Sequence, residues 1–204
     1  MTSDSISLGA VSIIIPWIRK DGMERCVEAI KSAALLPPHC YEIIAAEDSD
    51  RVGVPRMVKR LTEESSFDLV MFLADDTIPL PGFLTNSLAA METLPDGWGL
   101  VALNDGVHRG HLATHWLADK RLLPLLGGQF FHTGYRHTFC DSELTTRCRE
   151  MGRYAYAEKA QIDHIHPLFG KAPWDKDYRR VYCERNWAHD EQLYGIRQRQ
   201  GWPK

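Results

Sequence analysis

Two adjacent carboxylates, Asp75 and Asp76, directly follow the apolar run Leu69-Val-Met-Phe-Leu-Ala74. A short apolar run closed by turn-forming residues predicts a buried strand, here residues 68–74, with both acids at its carboxyl end. Ligands bind at that edge of open α/β sheets. Adjacent carboxylates repel each other and are costly to bury unless a cation or hydrogen bonds compensate them. The pair therefore predicts a divalent cation that holds a phosphate; aspartates that only cap the next turn are the alternative.

The segments on either side of this pair predict the elements that position it. The first five are strands over residues 11–15, 41–46 and 68–74 and helices over residues 21–36 and 55–64. Near-continuous apolar strands joined by helices indicate a mostly parallel, Rossmann-like central sheet flanked by helices, in a single α/β domain. The later predicted elements are helices over 81–91, 117–126 and 141–151, a strand over 99–103, and one or two strands over 154–166.

Composition argues against several classes of protein. The 204 residues are 44% hydrophobic and carry a formal net charge of -3, which suits a folded domain. Five cysteines, without a C-x-x-C spacing, argue against a disulfide framework and a zinc site, so we expect free thiols. The first residues lack a basic region and Pro16 breaks the first apolar run. We therefore expect neither a signal peptide nor a membrane span, and a cytoplasmic protein.

The last part of the chain differs from the rest in charge. From residue 171 onward it carries eight Lys and Arg against five Asp and Glu, and it is rich in Trp and Tyr. Because acids are interspersed among the basic residues, the favoured interpretation is a solvated helix that packs its aromatic side chains on the core. Contact with an anionic partner is the alternative.

The order of the motifs then indicates a family. Over residues 11–168 the chain resembles the GT-A glycosyltransferases, most closely the family 2 type. The matching segments are, in order, Val11-Ser-Ile-Ile-Ile-Pro16, Ile43-Ile-Ala-Ala-Glu-Asp48-Ser-Asp50, Phe72-Leu-Ala-Asp-Asp76, Gly127-Gly128, Cys140-Asp-Ser-Glu-Leu144 with Arg147 and Gly152, and Ile162-Asp-His164. The resemblance implies the GT-A fold, with residues 1–100 as the nucleotide-sugar-binding half, residues 101–170 as the acceptor and catalytic half, and residues 171–204 as a C-terminal helical tail.

The resemblance assigns the nucleotide-sugar donor to the first half. In relatives the turn after the first strand meets the nucleotide base, which here would be Pro16 and Trp17. An acid at the end of the second strand recognises the uracil or the ribose; Asp48 takes this role, with the preceding glutamate as the alternative. Arg51 and Arg56 follow, and a guanidinium holds a phosphate through paired hydrogen bonds; exposed arginines on a helix face are the alternative. The expected donor is a UDP-sugar.

Asp75-Asp76 resembles the metal-binding D-x-D motif, with Ala74 where many relatives carry another acid. The resemblance implies that Asp76 is the direct metal ligand and that Asp75 contacts sugar or ribose hydroxyls. His164 lies where relatives place a further metal-contacting residue, and His166 is the alternative ligand or a supporting partner. The implied cofactor is Mn²⁺ or Mg²⁺, which would neutralise the leaving nucleoside diphosphate. Imidazole suits Mn²⁺ better.

Asp141 matches the second acid of the family's Glu-Asp catalytic pair, and Cys140 replaces the first. In inverting relatives this aspartate is the general base that takes the proton of the acceptor hydroxyl. Glu143 is the alternative base, and a helix cap is the alternative role for Asp141.

Asn104 and His115 stand near predicted element ends on the acceptor half, and we expect them to bind the nucleotide sugar through sugar hydroxyls.

The sequence thus predicts a metal-dependent, inverting glycosyltransferase that moves one sugar from a nucleotide sugar to a hydroxyl acceptor. The acceptor can be a glycan or a modified base in DNA, as in phage-type DNA glycosyltransferases. The basic tail favours a DNA acceptor, whereas the acidic charge of the first 170 residues argues against DNA binding. A nucleotide- or glycan-binding module without turnover is a further alternative, supported by Cys140. Neither a glycine-rich loop after the first strand nor a Gln-x-x-Arg-Trp motif is present, which argues against a sugar-1-phosphate nucleotidyltransferase and against processive polysaccharide synthesis.

Overall fold

The computed structural model describes residues 10–203, which form strands and helices of an α/β chain. The strands are β1 (Val11–Trp17), β2 (Tyr41–Glu47), β3 (Leu69–Phe72), β4 (Thr77–Pro79), β5 (Leu100–Asn104), β6 (Trp116–Asp119) and β7 (Tyr154–His164). The helices are α1 (Lys20–Ala33), α2 (Val54–Glu64), α3 (Phe83–Glu92), α4 (Leu123–Leu126), α5 (Cys140–Glu150), α6 (Lys176–Val181) and α7 (Glu184–Arg199). The expectation of no signal peptide concerns residues that lie mostly outside the described part.

The strands form one sheet in the order β2-β1-β3-β6-β5-β7-β4. β1 pairs in parallel with β2 and β3, and β5 pairs in parallel with β7. β6 runs antiparallel to both β3 and β5, and β4 runs antiparallel to β7. Five of the seven described strands therefore point the same way, and the predicted mostly parallel α/β sheet is confirmed.

Helices cover both faces of the sheet, and β1 shows why its sequence is continuously apolar. Ile13 and Ile15 pack on one face with Ile30 of α1, whereas Ile14 packs on the other face with Leu61 of α2. Successive side chains of a strand point to opposite faces, so a strand covered on both sides needs apolar residues at every position. The turns at the strand ends are then the places where polar chemistry is tolerated.

The predicted helix over residues 117–126 is wrong in its first part. Trp116 to Asp119 form β6, which is inserted between β3 and β5, and the α-helix covers only Leu123–Leu126. Trp116, Leu117 and Ala118 are buried on both faces of the sheet, so the segment shows no alternation that separates a strand from a helix. Most other predicted boundaries differ from the structure by a few residues.

β4 is a short strand that sequence analysis missed. It pairs with the end of β7, with Thr77 opposite His164 and Pro79 opposite Ile162. Proline is tolerated there because β4 is an edge strand. This pairing brings the end of β7 next to the two acids that follow β3.

Two buried sets of contacts anchor the C-terminal helix α7, one an ion pair and the other a group of hydrogen bonds to the backbone. Arg197 donates to both carboxylate oxygens of Glu143 in α5, at 2.7 and 2.8 Å. Asp190, which is fully buried, accepts the backbone N–H groups of Arg136, His137 and Thr138, each at 2.9 Å. The helix therefore fixes the loop that leads into α5.

Two expectations from composition concern thiols and membranes. All five cysteines lie in the described part of the chain and are free thiols, and Cys26, Cys140 and Cys148 are buried. No helix within residues 10–203 is both long and apolar enough to cross a membrane.

Gly22 determines how closely α1 approaches the acids. A Cβ at this position would overlap the backbone carbonyl oxygen of Asp75. Because a backbone oxygen cannot rotate away as the end of a flexible side chain can, only glycine permits this approach. The first turn of α1 therefore lies directly against the segment that carries the two carboxylates.

We expect Gly22→Ala to lower the free energy of unfolding by about 2 kcal/mol, since the overlap must be relieved by moving α1 from the sheet. This cost exceeds the gain of about 1 kcal/mol that alanine brings to a helix. Urea unfolding measures it. The control is Gly195→Ala in α7, where the nearest atom is a flexible Arg199 nitrogen at 3.3 Å; its stability should be unchanged or higher. A wild-type urea midpoint for Gly22→Ala would contradict the prediction.

Candidate active site

A cavity of about 320 Å³ opens at the carboxyl ends of the first three strands. Its walls come from the turn after β1, the acids after β3, the start of α5, the end of β7 and helix α6. Most of the lining is apolar, and a small number of charged and imidazole groups converge on it. This size and composition are typical of a small-molecule site.

Asp75 is engaged entirely within the protein. One carboxylate oxygen accepts the backbone N–H groups of Ile18 and Arg19, at 2.9 and 2.8 Å, and the other accepts the Arg19 guanidinium at 2.6 Å. Burial raises the pKa of Asp75 and the Arg19 cation opposes that shift. The side chain therefore holds the turn that carries Trp17 and Arg19. The predicted contact of Asp75 with sugar hydroxyls stays a prediction.

Asp76 meets two histidines from distant strands. His115 immediately precedes β6 and His164 ends β7; one ligand atom from each of the three residues lies within 4.8 Å of the others. The His164 Nε2 is 3.5 Å from Asp76 Oδ1. A backbone hydrogen bond of 2.7 Å from Ile165 to the Asp76 carbonyl fixes the two segments together.

Three polar atoms of this group lack a hydrogen-bond partner among the described residues although they are buried: Oδ1 of Asp76, Nε2 of His115 and Nδ1 of His164. A buried polar atom without a partner costs about 1–3 kcal/mol. One carboxylate and two imidazoles are a donor set that suits a transition-metal ion such as Mn²⁺. The residues therefore fit the metal that the sequence resemblance implies.

Electrostatics prepare the group for a cation. Burial lowers the pKa of His115 to about 3, so its imidazole is neutral at physiological pH and offers a lone pair. Burial disfavours the charge of Asp76, yet the close His164 ring, the Tyr178 hydroxyl and Arg19 together hold its pKa below the usual range. An ionised carboxylate beside neutral imidazole is the state that binds a metal.

His166 lies in the cavity wall with its ring centroid 5.1 Å from that of His164, but it is not one of the three residues whose ligand atoms converge. Its Nδ1 accepts the N–H of Leu168 at 3.1 Å, and its ring packs edge-on against Tyr178 at 4.7 Å. Burial lowers the pKa of His166 to about 4. The structure thus brings together Asp76, His164 and His115, the last of which the sequence analysis assigned to sugar binding.

The residues predicted to bind the nucleotide divide into two sets. Pro16, Trp17 and Asp48 line the cavity. The Asp48 carboxylate accepts the N–H groups of Val52 and Gly53, at 2.7 and 2.9 Å, and so shapes the loop after β2. It lies at the predicted place, with its oxygens partly occupied.

Arg51 and Arg56 lie outside the cavity lining. Arg51 pairs with Asp177 at 3.5 Å, and Arg56 donates to the carbonyl of Val52 at 3.3 Å on the exposed face of α2. The cavity lining includes Arg180 and Arg19, and sequence analysis did not select Arg19 for the site. Its signal was available: it lies three residues after Pro16, in the turn predicted to face the ligand.

Asp141 lies at the start of α5 and lines the cavity beside Cys140. Its Oδ1 accepts the N–H of Ser142 at 2.8 Å. Burial raises the pKa of Asp141, and the nearby His108 opposes that shift. Burial also raises the pKa of the Cys140 thiol well above its usual value, which leaves it a neutral, weakly reactive group.

His108 follows β5, in the part of the chain that the resemblance assigns to the acceptor, and was also missed. Its Nδ1 is 2.6 Å from Oδ2 of Asp105, a buried acid that also accepts the N–H groups of Val107 and His108. This hydrogen bond raises the pKa of His108. The sequence signal was Asp105 itself, which stands at the end of β5 beside the selected Asn104.

Asn104 and Glu143 lie outside the cavity lining. Asn104 donates to the carbonyl of Glu158 at 2.8 Å, beside β7. Glu143 is buried among Tyr135, Arg147 and Arg197, whose donor atoms lie 2.7–3.0 Å from its oxygens. These contacts give Glu143 a part in packing α5 against α7.

We expect Glu143→Gln to lower the free energy of unfolding by about 3 kcal/mol, because it leaves two buried guanidinium groups without their counter-ion. The control is Glu63→Gln, which removes an exposed ion pair with Lys59 one turn away on α2; its effect should stay below about 0.5 kcal/mol. Urea unfolding of both variants measures the difference. Equal midpoints for the two variants would show that the buried network does not stabilise the fold.

Comparison with known proteins gives the fold a context. No model of a known protein family matches the sequence, and no curated protein matches it. Solved structures do: a mannosyltransferase from Pyrobaculum calidifontis, in complex with GDP-Man and Mn²⁺, is 16% identical over 93% of this chain and 64% of its own length, with a TM-score of 0.68. This chain therefore spans less than two thirds of that enzyme.

Two further glycosyltransferase structures agree. A Drosophila β-1,4-galactosyltransferase 7 variant, in complex with manganese, UDP-Gal and xylobiose, is 14% identical over 85% of this chain and 79% of its own, with a TM-score of 0.60. The glucosyl-3-phosphoglycerate synthase of Mycobacterium tuberculosis, in complex with Mn²⁺, UDP and glucosyl-3-phosphoglycerate, is 16% identical over 96% and 81%, with a TM-score of 0.59. At these identities the comparisons show the fold, and the predicted GT-A fold is confirmed.

Proposed function

We propose that this chain, which shares the GT-A fold with these transferases, is a metal-dependent, inverting glycosyltransferase. It transfers a single sugar from a nucleotide sugar to a hydroxyl group of the acceptor, and a UDP-sugar is the first candidate for the donor. One observation carries the proposal: Asp76, His115 and His164, whose ligand atoms converge and which each keep a buried polar atom without a partner among the described residues, line one cavity together with Asp141.

Asp76, His115 and His164 would hold the metal, for which Mn²⁺ is the favoured ion because two of the three ligands are imidazoles. When bound, the cation supplies positive charge to the diphosphate oxygens and so stabilises the leaving nucleoside diphosphate. The three compared enzymes were each solved with manganese, which supports this choice of metal.

The donor would lie along the turn after β1. Trp17 offers an aromatic face for the base, and Asp48 lies at the end of β2, where a carboxylate recognises the base or ribose. Arg19 adds a guanidinium whose side chain is 26% exposed and borders Asp76 at 3.6 Å. A cation held there by Asp75 suits a phosphate oxygen, since charge-assisted hydrogen bonds are the strong ones.

Asp141 would act as the general base. It accepts the proton of the acceptor hydroxyl while that oxygen bonds to the anomeric carbon, and the bond from that carbon to the diphosphate breaks on the opposite side, which inverts the configuration. Burial raises the pKa of Asp141, which makes its carboxylate a stronger proton acceptor. The His108 imidazole, oriented by Asp105, favours the ionised form. Cys140 is buried and neutral, and so takes no proton from the acceptor.

The first test is calorimetric titration of UDP, with GDP as the comparison, in the presence and absence of Mn²⁺. We expect manganese-dependent binding that Asp76→Asn and His115→Gln each weaken by at least about tenfold, because the first removes the negative charge of a ligand and the second removes an imidazole ligand. The control is Asp163→Asn: this acid neighbours His164 but pairs with Lys171 outside the cavity lining, and its loss should leave binding unchanged. Binding of neither nucleotide under any condition would overturn the proposal.

The second test concerns the base. We expect Asp141→Asn to reduce the rate of sugar transfer by about 10²- to 10⁴-fold, since proton removal is lost, with unchanged nucleotide affinity by calorimetry. Candidate acceptors are monosaccharides, oligosaccharides and hydroxymethylated DNA, the acceptor classes predicted from sequence. Nuclear magnetic resonance of the product gives its anomeric configuration. A product that retains the donor configuration would rule out the inverting route, and binding of the donor without transfer to any of these acceptors would favour a non-catalytic binding module.

A further inference from the structure

Tyr178, in the C-terminal segment, contacts the candidate metal ligand Asp76 across 102 positions of sequence. Its hydroxyl donates a hydrogen bond of 2.6 Å to Oδ2 of Asp76. The other carboxylate oxygen, Oδ1, is buried and has no hydrogen-bond partner among the described residues. Oδ1 is also the oxygen closest to His164, at 3.5 Å. The two oxygens of one carboxylate are therefore differentiated, one satisfied by the protein and one left free.

Contacts on every side hold the phenol in place. The Arg19 guanidinium lies over the ring, 4.1 Å from its centroid, and the His166 ring packs edge-on at 4.7 Å. Asp175 caps α6 by accepting the N–H of Tyr178 itself at 2.8 Å. With only 5% of its surface exposed, Tyr178 has little freedom to swing away, so its hydroxyl presents a fixed donor to Asp76.

We propose that Tyr178 is a positioning residue of the metal centre: its hydroxyl holds Asp76 so that a single oxygen, Oδ1, faces the cation. This inference rests on the proposed function, because it concerns the same metal. It also makes α6 a structural part of the metal site, whereas the sequence predicted for the segment from residue 171 only a solvated helix that packs its aromatic side chains on the core.

The physical reason is the rotational freedom of the carboxylate. Without the phenol, Asp76 would turn about its terminal torsion and would present either oxygen, or both, to the cation. Hydrogen bonds that orient metal ligands are worth about 10- to 100-fold in metal affinity. Binding of the metal and docking of α6 are then linked, and each must strengthen the other by the same factor.

The test compares Tyr178→Phe with Tyr182→Phe. Both variants remove one hydroxyl from the same C-terminal segment and the same cavity wall, and both keep the aromatic ring. Among the described contacts the Tyr182 hydroxyl makes no hydrogen bond to a candidate metal ligand. Binding of Mn²⁺ is measured from the electron paramagnetic resonance signal of the free ion, with and without UDP, and urea midpoints are recorded for each variant.

We expect Tyr178→Phe to bind Mn²⁺ at least about tenfold more weakly than the wild type, and Tyr182→Phe to match the wild type. Unchanged or tighter binding by Tyr178→Phe would overturn the inference, since the hydroxyl would then be neutral or would occupy Asp76 in competition with the metal. Equal losses in both variants would also overturn it, because the effect would belong to the segment as a whole. Absence of manganese binding by the wild type itself, with and without UDP, would overturn the proposed function and this inference together.

Amide hydrogen exchange gives a second readout that needs no turnover. Saturating Mn²⁺ should slow exchange in α6 of the wild type and should slow it less in Tyr178→Phe, because the link between metal and helix runs through the hydroxyl. Equal slowing in both proteins would contradict this link.

Discussion

The burial of two adjacent carboxylates is the constraint on which the site depends. Asp75 and Asp76 are only 4% and 9% exposed, and an uncompensated buried charge costs several kcal/mol. The protein compensates them in different ways. Asp75 is neutralised by a turn of backbone N–H groups and by Arg19, whereas Asp76 is given one hydroxyl and is left with one free oxygen. This asymmetry distinguishes Asp75, whose two oxygens are both engaged by the protein, from the candidate metal ligand Asp76.

Sequence analysis found the parts of this arrangement that local patterns encode. An apolar run closed by acids defined β3, and Asp141 with the helix that follows it was evident from the start signal. Both are properties of a few consecutive residues. The place of His115 was not predictable in this way, because it depends on β6 lying between β3 and β5. Trp116 to Ala118 are apolar on both faces, and no periodicity distinguishes such a strand from a helix.

Contacts between segments that are distant in sequence were also not predictable from local patterns. Tyr178 reaches Asp76 because α6 folds over the cavity, and neither residue carries a local signal of the other. Arg51 was selected because it closely follows Asp48 in sequence. Its backbone has a left-handed conformation, with φ 56°, and its side chain pairs with Asp177 and does not line the cavity. Proximity in sequence to Asp48 thus did not identify the arginines that line the cavity, Arg19 in the turn after β1 and Arg180 in α6.

The acids of the cavity wall are compensated locally, in a chain with a net charge of -3. Asp75 is held by Arg19 and two backbone N–H groups, Asp48 by two backbone N–H groups, and Asp76 by the Tyr178 hydroxyl on one oxygen. Fields inside a cleft are set by the nearest groups and their orientation, more than by the sum over the whole molecule.

The path of the chain has a consequence for its synthesis. Strands β1, β2 and β3 and their helices come from the first third of the sequence, and domains begin to fold from the N-terminal side as the ribosome extends the chain. Tyr178, Asp190 and Arg197 follow more than a hundred residues after the acids of β3. The segment that carries Asp76 is therefore synthesised before the hydroxyl that contacts it, and its hydrogen bond to Tyr178 is among the contacts that can form only late.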